Sequence, residues 1–154
     1  MLYRLYRPQD FAALYAIEEV CFQPPQRFSR TYMRQLTRKR NAAVWIAERD
    51  TRMLGFGIVD WTAEPADPTA YIQTLEVLPE ARGQGIGSGL LTRLEISASE
   101  SKVRTIWLHV DSENAGAIRL YANHGFELHG REQDYYGNNR PALVLFKLLE
   151  TSRS

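Results

Sequence analysis

One stretch near the middle of the chain constrains the fold most strongly, because its periodicity changes from extended to helical across a glycine-rich loop. Residues 71–78 form an extended apolar segment that stops at Pro79. Glycines then occupy every second position from 83 to 89. Apolar residues at helical spacing follow, namely Ile86, Leu90, Leu91 and Leu94. The pattern predicts a strand, a loop and the N-terminus of a helix.

The predicted loop has the backbone chemistry of an anion site. Glycine permits positive φ angles, so successive N–H groups can point into one concavity. The first amides of a helix have no partner within that helix, and its dipole favours negative charge nearby. The guanidinium of Arg82 would add a charge-assisted contact. We therefore expect a phosphate group to bind at residues 82–88.

Three glycine-loop patterns could supply such a site. A P-loop requires Gly-Lys-Ser/Thr at its end, and no lysine occurs between residues 40 and 100. A dinucleotide fingerprint requires a third glycine, but Ser88 or Leu90 stands in that place, depending on the alignment. The pattern that remains is Arg-x-x-Gly-x-Gly at 82–87, directly after a strand.

A second block follows at residues 105–126. Its first part, through residue 110, is apolar and β-branched, which predicts a short strand that contains His109. Its second part predicts a helix that begins near Asn114, contains Tyr121 and ends at Gly125.

Together the two blocks resemble the acetyl-coenzyme A signature of the GNAT acetyltransferase superfamily. The closest likeness is to the ribosomal-protein alanine N-acetyltransferases of RimI type, and it extends from near the first residue to about residue 149. The resemblance implies an α/β GNAT (acyl-CoA N-acyltransferase) fold, with a mixed central sheet of about seven strands flanked by about four helices. One departure stands out: His109 occupies a position where those relatives carry a glutamate.

The resemblance also implies where acetyl-CoA binds as the acetyl donor. The strand would carry the pantetheine arm and the loop the pyrophosphate. Asn114 would contact the arm, or it would simply cap the helix that it opens. The implied cofactor-binding residues are Leu75, Glu76, Val77, Arg82, Gly83, Gln84, Gly85, Ile86, Gly87, Ser88 and Asn114.

Acetyl transfer needs a neutral amine and a protonated leaving thiol. Tyr121 is the predicted general acid, because a phenol with a pKa of ~10 stays protonated at neutral pH. Simple packing on the helix face is the alternative for this residue. His109 is the predicted general base, because an imidazole is largely neutral at pH 7; the alternative is a polar residue with a structural role. Glu76 and Glu113 are weaker candidates for the base.

The acceptor is predicted to be the N-terminal α-amine of a protein, which attacks the acetyl group directly. At pH 7 about a tenth of an α-amine is neutral, far more than of a lysine amine, so a mild base suits the α-amine. The resemblance places a peptide-entry groove at the paired tyrosines, and the predicted substrate-binding residues are Phe28, Tyr135 and Tyr136. Two alternatives remain: a small-molecule amine acetyltransferase acting on a polyamine, amino acid or drug, and a non-catalytic coenzyme A sensor.

The amino-acid composition limits the kinds of partner that we expect. Nineteen basic and eighteen acidic side chains give a formal charge of +1, so no nucleic-acid partner is expected. No apolar run is long enough to span a membrane, and the single Cys21 favours a cytoplasmic protein without an intrachain disulfide. No metal site is expected. Residues 1–150 are predicted to form one domain with a frayed tail at 151–154, as a monomer or a homodimer.

The remaining segments predict an ordinary order of elements around these blocks. Asp10 and Ser29 are predicted to cap the first two helices, and the basic residues of the second helix are predicted to form a solvated face. Glycines 55 and 57 interrupt a strand, which indicates a bulge or the close approach of another backbone. The other predicted strands lie at 2–7, 43–48, 53–61, 127–136 and 143–149.

Overall fold

The computed structural model describes residues 1–62, 67–136 and 140–149. In this part of the chain, seven strands form one sheet in the order β1-β2-β3-β4-β5-β7-β6, and four α-helices flank it. The predicted fold class and order of elements are confirmed. The strands are β1 (Leu2–Leu5), β2 (Ala42–Arg49), β3 (Arg52–Trp61), β4 (Thr69–Val77), β5 (Thr105–Asp111), β6 (Glu127–Glu132) and β7 (Ala142–Leu148). The helices are α1 (Phe11–Cys21), α2 (Arg30–Arg38), α3 (Ile86–Glu100) and α4 (Ala115–Asn123).

The one parallel pair of strands, β4 and β5, stays together over only part of its length. Its register runs from Thr69 opposite Thr105 to Ile72 opposite Leu108. Beyond that point β4 remains paired with β3, and β5 remains paired with β7. The two strands therefore splay apart, which leaves the later backbone groups of β4 without a partner on the β5 side.

A bulge lies at the point where the strands separate. Ile58 of β3 pairs with Thr74 and the next residue, Val59, pairs with Ile72, so Gln73 is the extra residue on β4. A bulge bends its strand and increases the local twist, which accounts for the divergence of β4 from β5. The side chain of Gln73 is held by a 2.8 Å hydrogen bond to Asp60.

The central helix α3 packs closely on β3, and this explains a glycine inside that strand. A Cβ added at Gly57 would lie 2.9 Å from Cδ1 of Leu94, whose side chain is fully buried. The approaching group at Gly57 is thus a side chain of α3. A Cβ added at Gly55 would lie 2.5 Å from the carbonyl oxygen of Glu76, so the predicted close approach of another backbone is confirmed at Gly55.

Asp10 does not cap α1 as predicted. Its carboxylate instead binds the guanidinium of Arg4 at 2.8 and 2.9 Å and accepts a hydrogen bond from the amide of Arg7. The bond to Arg4 lowers the pKa of Asp10. The Asp10 carboxylate binds Arg4 and not an amide of α1, because a bidentate charge-assisted bond is stronger than a bond to a neutral backbone amide. Ser29 does cap α2, since its hydroxyl oxygen accepts from the amide of Tyr32 at 3.1 Å.

Other boundaries differ modestly from the predicted ones. Strand β1 ends at Leu5, and β6 ends at Glu132, because residues 133–136 form a turn. The basic face of α2 is exposed, but Arg34 lies over the ring of Phe11 at 4.0 Å, so part of it packs on α1. The predicted tail at 151–154 lies outside the described residues. No helix among those that the structure describes is long and apolar enough to cross a membrane.

Candidate active site

A cavity of about 550 Å³ opens where β4 and β5 separate. Its walls come from these two strands, the α1–α2 connection, the start of α4 and the segment after β6. The structure thus brings residues from distant parts of the sequence to one cleft. The predicted site residues in its wall are Phe28, Leu75, His109, Asn114, Tyr121, Tyr135 and Tyr136.

The remaining predicted residues lie elsewhere. Glu76, Val77 and the glycine loop at 82–88 are not in the wall of this cavity. The loop nevertheless follows β4 directly, because only Leu78 and the short turn Pro79–Ala81 separate it from the end of the strand. The cavity and the loop therefore lie at successive positions along one strand-loop-helix unit.

His109 is held within a group of aromatic side chains at the floor of the cleft. Its Nδ1 lies 2.8 Å from the hydroxyl of Tyr71, and its ring stacks on Tyr135 at 4.2 Å between centroids. Only 9% of its side chain is exposed. Burial raises the pKa of Tyr71. Tyr71 therefore remains a neutral phenol at any physiological pH.

The second nitrogen of His109 faces a carboxylate. Oε1 of Glu132 lies 3.0 Å from Nε2, although the contact lacks hydrogen-bond geometry. A nearby negative charge favours the tautomer with its proton on Nε2. In that tautomer Nδ1 is the acceptor, and the hydroxyl of Tyr71 donates to it. The arrangement is a proton path from Tyr71 to His109, with Glu132 placed to stabilise the charged imidazole.

The sequence predicted His109 as a site residue but missed its partners. Tyr71 has the pattern of an apolar strand residue, and Glu132 lies in an unremarkable polar strand. The pairing of β4 with β5 brings Tyr71 next to Trp107, one pleat away from His109. The contact between Tyr71 and His109 is therefore apparent only from the register of two strands that are far apart in the sequence.

Tyr121 lies in the cavity wall with 6% of its surface exposed. Its ring packs edge-on against Phe126 at 5.5 Å, and burial raises the pKa of its hydroxyl. No side chain among the described residues forms a hydrogen bond with this hydroxyl. Tyr121 therefore packs its ring against Phe126 and also presents its hydroxyl group to the cleft.

A buried pair of carboxyl groups lies beside the cleft, whose wall includes Glu18 but not Glu76. Glu18 and Glu76 are 1% and 3% exposed. Thr74 donates to one oxygen of Glu76 at 2.6 Å, and the amide of Phe28 donates to one oxygen of Glu18 at 3.0 Å. Burial, and then hydrogen bonding to Glu18, raise the pKa of Glu76 well above its usual range. The other two oxygens, Oε1 of Glu18 and Oε1 of Glu76, are buried and have no hydrogen-bond partner among the described residues.

Glu76 is not in the wall of the cavity, which makes its carboxyl group a poorer candidate for the general base than His109. The pair of carboxyl groups also links the α1–α2 connection to β4. Phe28 is held from its other side as well, since its carbonyl accepts a 2.8 Å hydrogen bond from the hydroxyl of Tyr15. Its ring packs edge-on against Tyr32 at 5.1 Å and lines the cleft.

Charged residues lie around the wall of the cleft that is formed by the end of β5 and the start of α4. Arg140 forms an ion pair with Asp111, the last residue of β5, and lies 3.5 Å from Glu113. The side chain of Glu113 is 72% exposed, so its carboxylate is well solvated and is a poor candidate for the base. Asn114 caps α4, because its Oδ1 accepts from the amide of Ala117 at 3.1 Å. Its amide nitrogen remains available to a ligand in the cleft.

The glycine loop has the geometry of an anion site. Gly83 and Gly85 have φ angles of 78° and 82°, and Gly85 is the N-cap of α3. The amides of residues 86–88 have no hydrogen-bond acceptor within the part of the chain that the structure describes. The loop therefore fits a diphosphate group, which accepts hydrogen bonds only.

Arg82 does not point its charge at the loop as predicted from the sequence. Its Nε donates to the carbonyl of Val77 at 3.0 Å, and its guanidinium lies 3.7 Å from Sγ of Cys21. Burial raises the pKa of the Cys21 thiol to about 11, so this thiol stays protonated at neutral pH. The described residues contain no group of three or more side chains placed to hold a metal ion.

Comparisons with known proteins agree with this geometry. The Acetyltransferase (GNAT) family matches residues 11–126 of the chain. A mycothiol acetyltransferase of Streptomyces griseus is 33% identical over 82% of the chain, and N-alpha-acetyltransferase 60 of Xenopus tropicalis is 41% identical over 44%. These stretches cover 43% and 29% of the two relatives, so the chain spans less than half the length of the curated relatives it matches.

Solved structures share the fold. The ribosomal-protein-S18-alanine N-acetyltransferase from Escherichia coli superposes with a TM-score of 0.86 at 22% identity, over 99% of this chain and 96% of that one. A chain of the NatC complex bound to Gag peptide and CoA superposes with a TM-score of 0.84 at 20% identity, over 97% and 98%.

Proposed function

The chain belongs to the GNAT acetyltransferase family, and we propose that it transfers an acetyl group from acetyl-CoA to the N-terminal α-amine of a protein or peptide. The observation that carries this proposal is the Tyr71–His109 pair at the floor of the cleft between β4 and β5. A buried imidazole bonded to a neutral phenol is a proton acceptor placed where an amine can enter.

The base works through a relay. The attacking amine gives its proton to the oxygen of Tyr71, directly or through one water molecule, as the hydroxyl proton of Tyr71 moves to Nδ1 of His109. Glu132, 3.0 Å from Nε2, stabilises the resulting imidazolium. This step uses a histidine where the RimI-type relatives carry a glutamate, and it needs no metal among its participants.

The donor supplies an activated thioester carbonyl when bound. The free backbone groups of β4 beyond Ile72 hold the donor's arm and donate to the carbonyl oxygen, where negative charge develops. The amides at the start of α3 hold its diphosphate. Tyr121 would donate its hydroxyl proton to the sulfur as the carbon–sulfur bond breaks, and its raised pKa means that the phenol is neutral and carries this proton before the transfer.

Transfer proceeds by direct attack and not through an acetylated cysteine. Cys21 lines the cavity, but its thiol has a pKa raised to about 11, so few molecules carry the nucleophilic thiolate at neutral pH. The carbonyl of Val77 lies within 3.7 Å of its sulfur, which gives the thiol a structural contact.

The walls of the cleft favour the end of a peptide chain as the acceptor. Phe28, Tyr135 and Tyr136 line the entrance with aromatic surface, and Tyr135 is 45% exposed. Aromatic side chains with polar ends suit an extended segment that brings both apolar and hydrogen-bonding groups. Solved relatives named for alanine N-acetylation and for a bound peptide support this choice.

A small-molecule amine is the second candidate acceptor, and a specific observation favours it. The relatives that match over most of the chain are named mycothiol acetyltransferases, including one of Streptomyces griseus at 33% identity. A cleft of about 550 Å³ also accommodates a sugar-sized amine.

A panel of acceptors separates the two candidates. The release of free coenzyme A thiol would be measured with peptides that differ in their first residue, and in parallel with small amines that include an amino sugar and a polyamine. The matched control for each peptide is the same sequence with its N-terminus already acetylated. We expect release with free peptides, none with their blocked forms, and little with small amines. Turnover of small amines alone would replace the proposal by its second candidate.

A further inference from the structure

A chain of four polar side chains runs from the glycine loop to strand β7, outside the cleft described above. The hydroxyl of Ser88 lies 2.7 Å from Nε2 of His124. Nδ1 of His124 lies 3.4 Å from Oε2 of Glu95, whose other oxygen lies 2.5 Å from the amine of Lys147. The side chains of His124 and Glu95 are 17% and 13% exposed. None of these contacts is needed for the transfer step.

The two neighbours of His124 determine where its protons lie. Glu95 is the anionic group beside Nδ1, so Nδ1 carries a proton in the neutral ring. Nε2 is then an acceptor, and the hydroxyl of Ser88 must donate to it. Lys147 on β7 is the remaining charged member of these four side chains. Its positive charge partly offsets the negative charge of Glu95. In this state the hydroxyl hydrogen of Ser88 is committed to His124.

Ser88 is also part of the anion site. It is the third residue of α3, and its own amide is one of the free donors at that helix end. The Cα–Cβ bonds of a helix tilt towards its N-terminus, so the side chain of Ser88 leans towards the helix end that carries these amides. A diphosphate oxygen only accepts hydrogen bonds. Ser88 can donate to it only if Nε2 of His124 becomes a donor instead.

We propose that diphosphate binding at the loop is coupled to the uptake of one proton by His124, with Ser88 as the link. The proton comes from solvent and binds Nε2. The ring then donates to Ser88, whose hydroxyl turns its hydrogen to a diphosphate oxygen, and Nδ1 keeps its proton towards Glu95. His124 is thus a positioning residue for the donor. The proposal rests on acetyl-CoA as the donor of the proposed function, but not on the identity of the acceptor.

Proton uptake is measured directly by titration calorimetry. Coenzyme A would be titrated into the protein in buffers of different ionisation enthalpy, and the dependence of the observed heat on the buffer gives the number of protons bound. The same titration repeated from pH 6.5 to 8.5 gives the dissociation constant at each pH. One linked proton weakens binding as pH rises, by at most about tenfold per pH unit.

Three variants isolate the contribution of His124. His124→Gln keeps an amide donor beside Ser88 but does not titrate, and Ser88→Ala removes the link while leaving the ring. His129→Gln is the matched control, because His129 is an exposed histidine on β6. The 3′-phosphate of the coenzyme, with a second pKa of about 6, titrates equally in every variant, so differences between variants report the protein.

We expect the wild-type protein and His129→Gln to take up more protons than either His124→Gln or Ser88→Ala, and to lose affinity more steeply as pH rises. His124→Gln should bind with a nearly constant affinity above pH 7. Equal proton uptake in the wild type and in both test variants would overturn the proposal. Because no acceptor is present, failure of this test leaves the peptide assay unaffected, and the reverse also holds.

Discussion

The hydroxyl oxygen of Tyr71 lies 2.8 Å from Nδ1 of His109, at the point where β4 and β5 stop pairing. The two residues come from strands that are consecutive in the sheet but separated in the chain by the whole of α3. The bulge at Gln73 opens the strands just beyond Tyr71. The same distortion therefore leaves backbone groups of β4 unpaired on the β5 side and opens the cleft whose wall contains His109.

His109→Gln is expected to lower kcat by about 10²–10⁴-fold, because it removes the final proton acceptor. Tyr71→Phe should lower kcat as well, since the relay then has no first member. Binding of coenzyme A, measured by calorimetry, should stay unchanged in both variants. Unaltered kcat in His109→Gln, with the wild-type pH profile, would show that the base lies elsewhere.

Tyr121→Phe is expected to lower kcat by about 10²-fold or more, because the thiolate leaves without a proton donor. Phe keeps the edge contact with Phe126, so the melting temperature should change little. Tyr6→Phe is the matched control, as Tyr6 does not line the cleft. Single-turnover kinetics with a peptide acceptor give the rate of the chemical step. An unchanged rate in Tyr121→Phe would show that Tyr121 only packs in the core and does not donate a proton.

Glu76→Gln is expected to remove a pH dependence of stability. The folded pKa of Glu76 is raised, so its contribution is fully present below the unfolded value of about 4.3 and is lost as pH rises through the folded value. The wild type should therefore lose stability relative to Glu76→Gln from pH 5 upwards, by at most about 1.4 kcal/mol per pH unit.

Urea unfolding at pH 5, 6, 7 and 8 measures this difference. Glu113→Gln serves as the control, because the side chain of Glu113 is largely exposed. A constant difference between the wild type and Glu76→Gln across the four pH values would contradict a raised pKa of Glu76 in the folded protein.

Gly85→Ala is expected to destabilise the protein by about 1–2 kcal/mol, because its φ of 82° is strained for any residue with a Cβ. It should also weaken coenzyme A binding, since the loop amides lose their orientation. Gly116→Ala is the opposite case: this exposed helical glycine has open space around it, so alanine should stabilise α4 by about 0.5–1 kcal/mol. Urea unfolding of both variants measures the two changes in stability. Equal changes would contradict the argument that the positive φ angle at residue 85 is what makes alanine unfavourable there.

The sequence was sufficient for the order of elements and for much of the cleft. Glycine spacing and helical periodicity are local signals, so the strand, the loop and the start of the helix at 71–94 could be predicted, whereas the end of α3 at Glu100 was not. His109, Tyr121 and Phe28 were predicted and do line one cavity. Their roles in acetyl transfer remain predictions.

What the sequence did not reveal depends on contacts between distant residues. The partner of His109, the carboxyl pair of Glu18 and Glu76, and the contact of Ser88 with His124 each join segments more than thirty residues apart. The failed prediction for Asp10 has a different cause, because its partner is only six residues away. A capping motif is a local rule, and Arg4, on the neighbouring strand, supplied a stronger bond than the helix amide.

The most direct test of the central claim is to locate the acetyl group on a product. A peptide with a free N-terminus and one internal lysine would be incubated with the protein and acetyl-CoA, and its fragments would be analysed by tandem mass spectrometry. The proposed function predicts one acetyl group, on the α-amine, in the wild type and far less product in His109→Gln. Acetylation of the lysine alone, or no peptide product beside rapid turnover of a small amine, would contradict it.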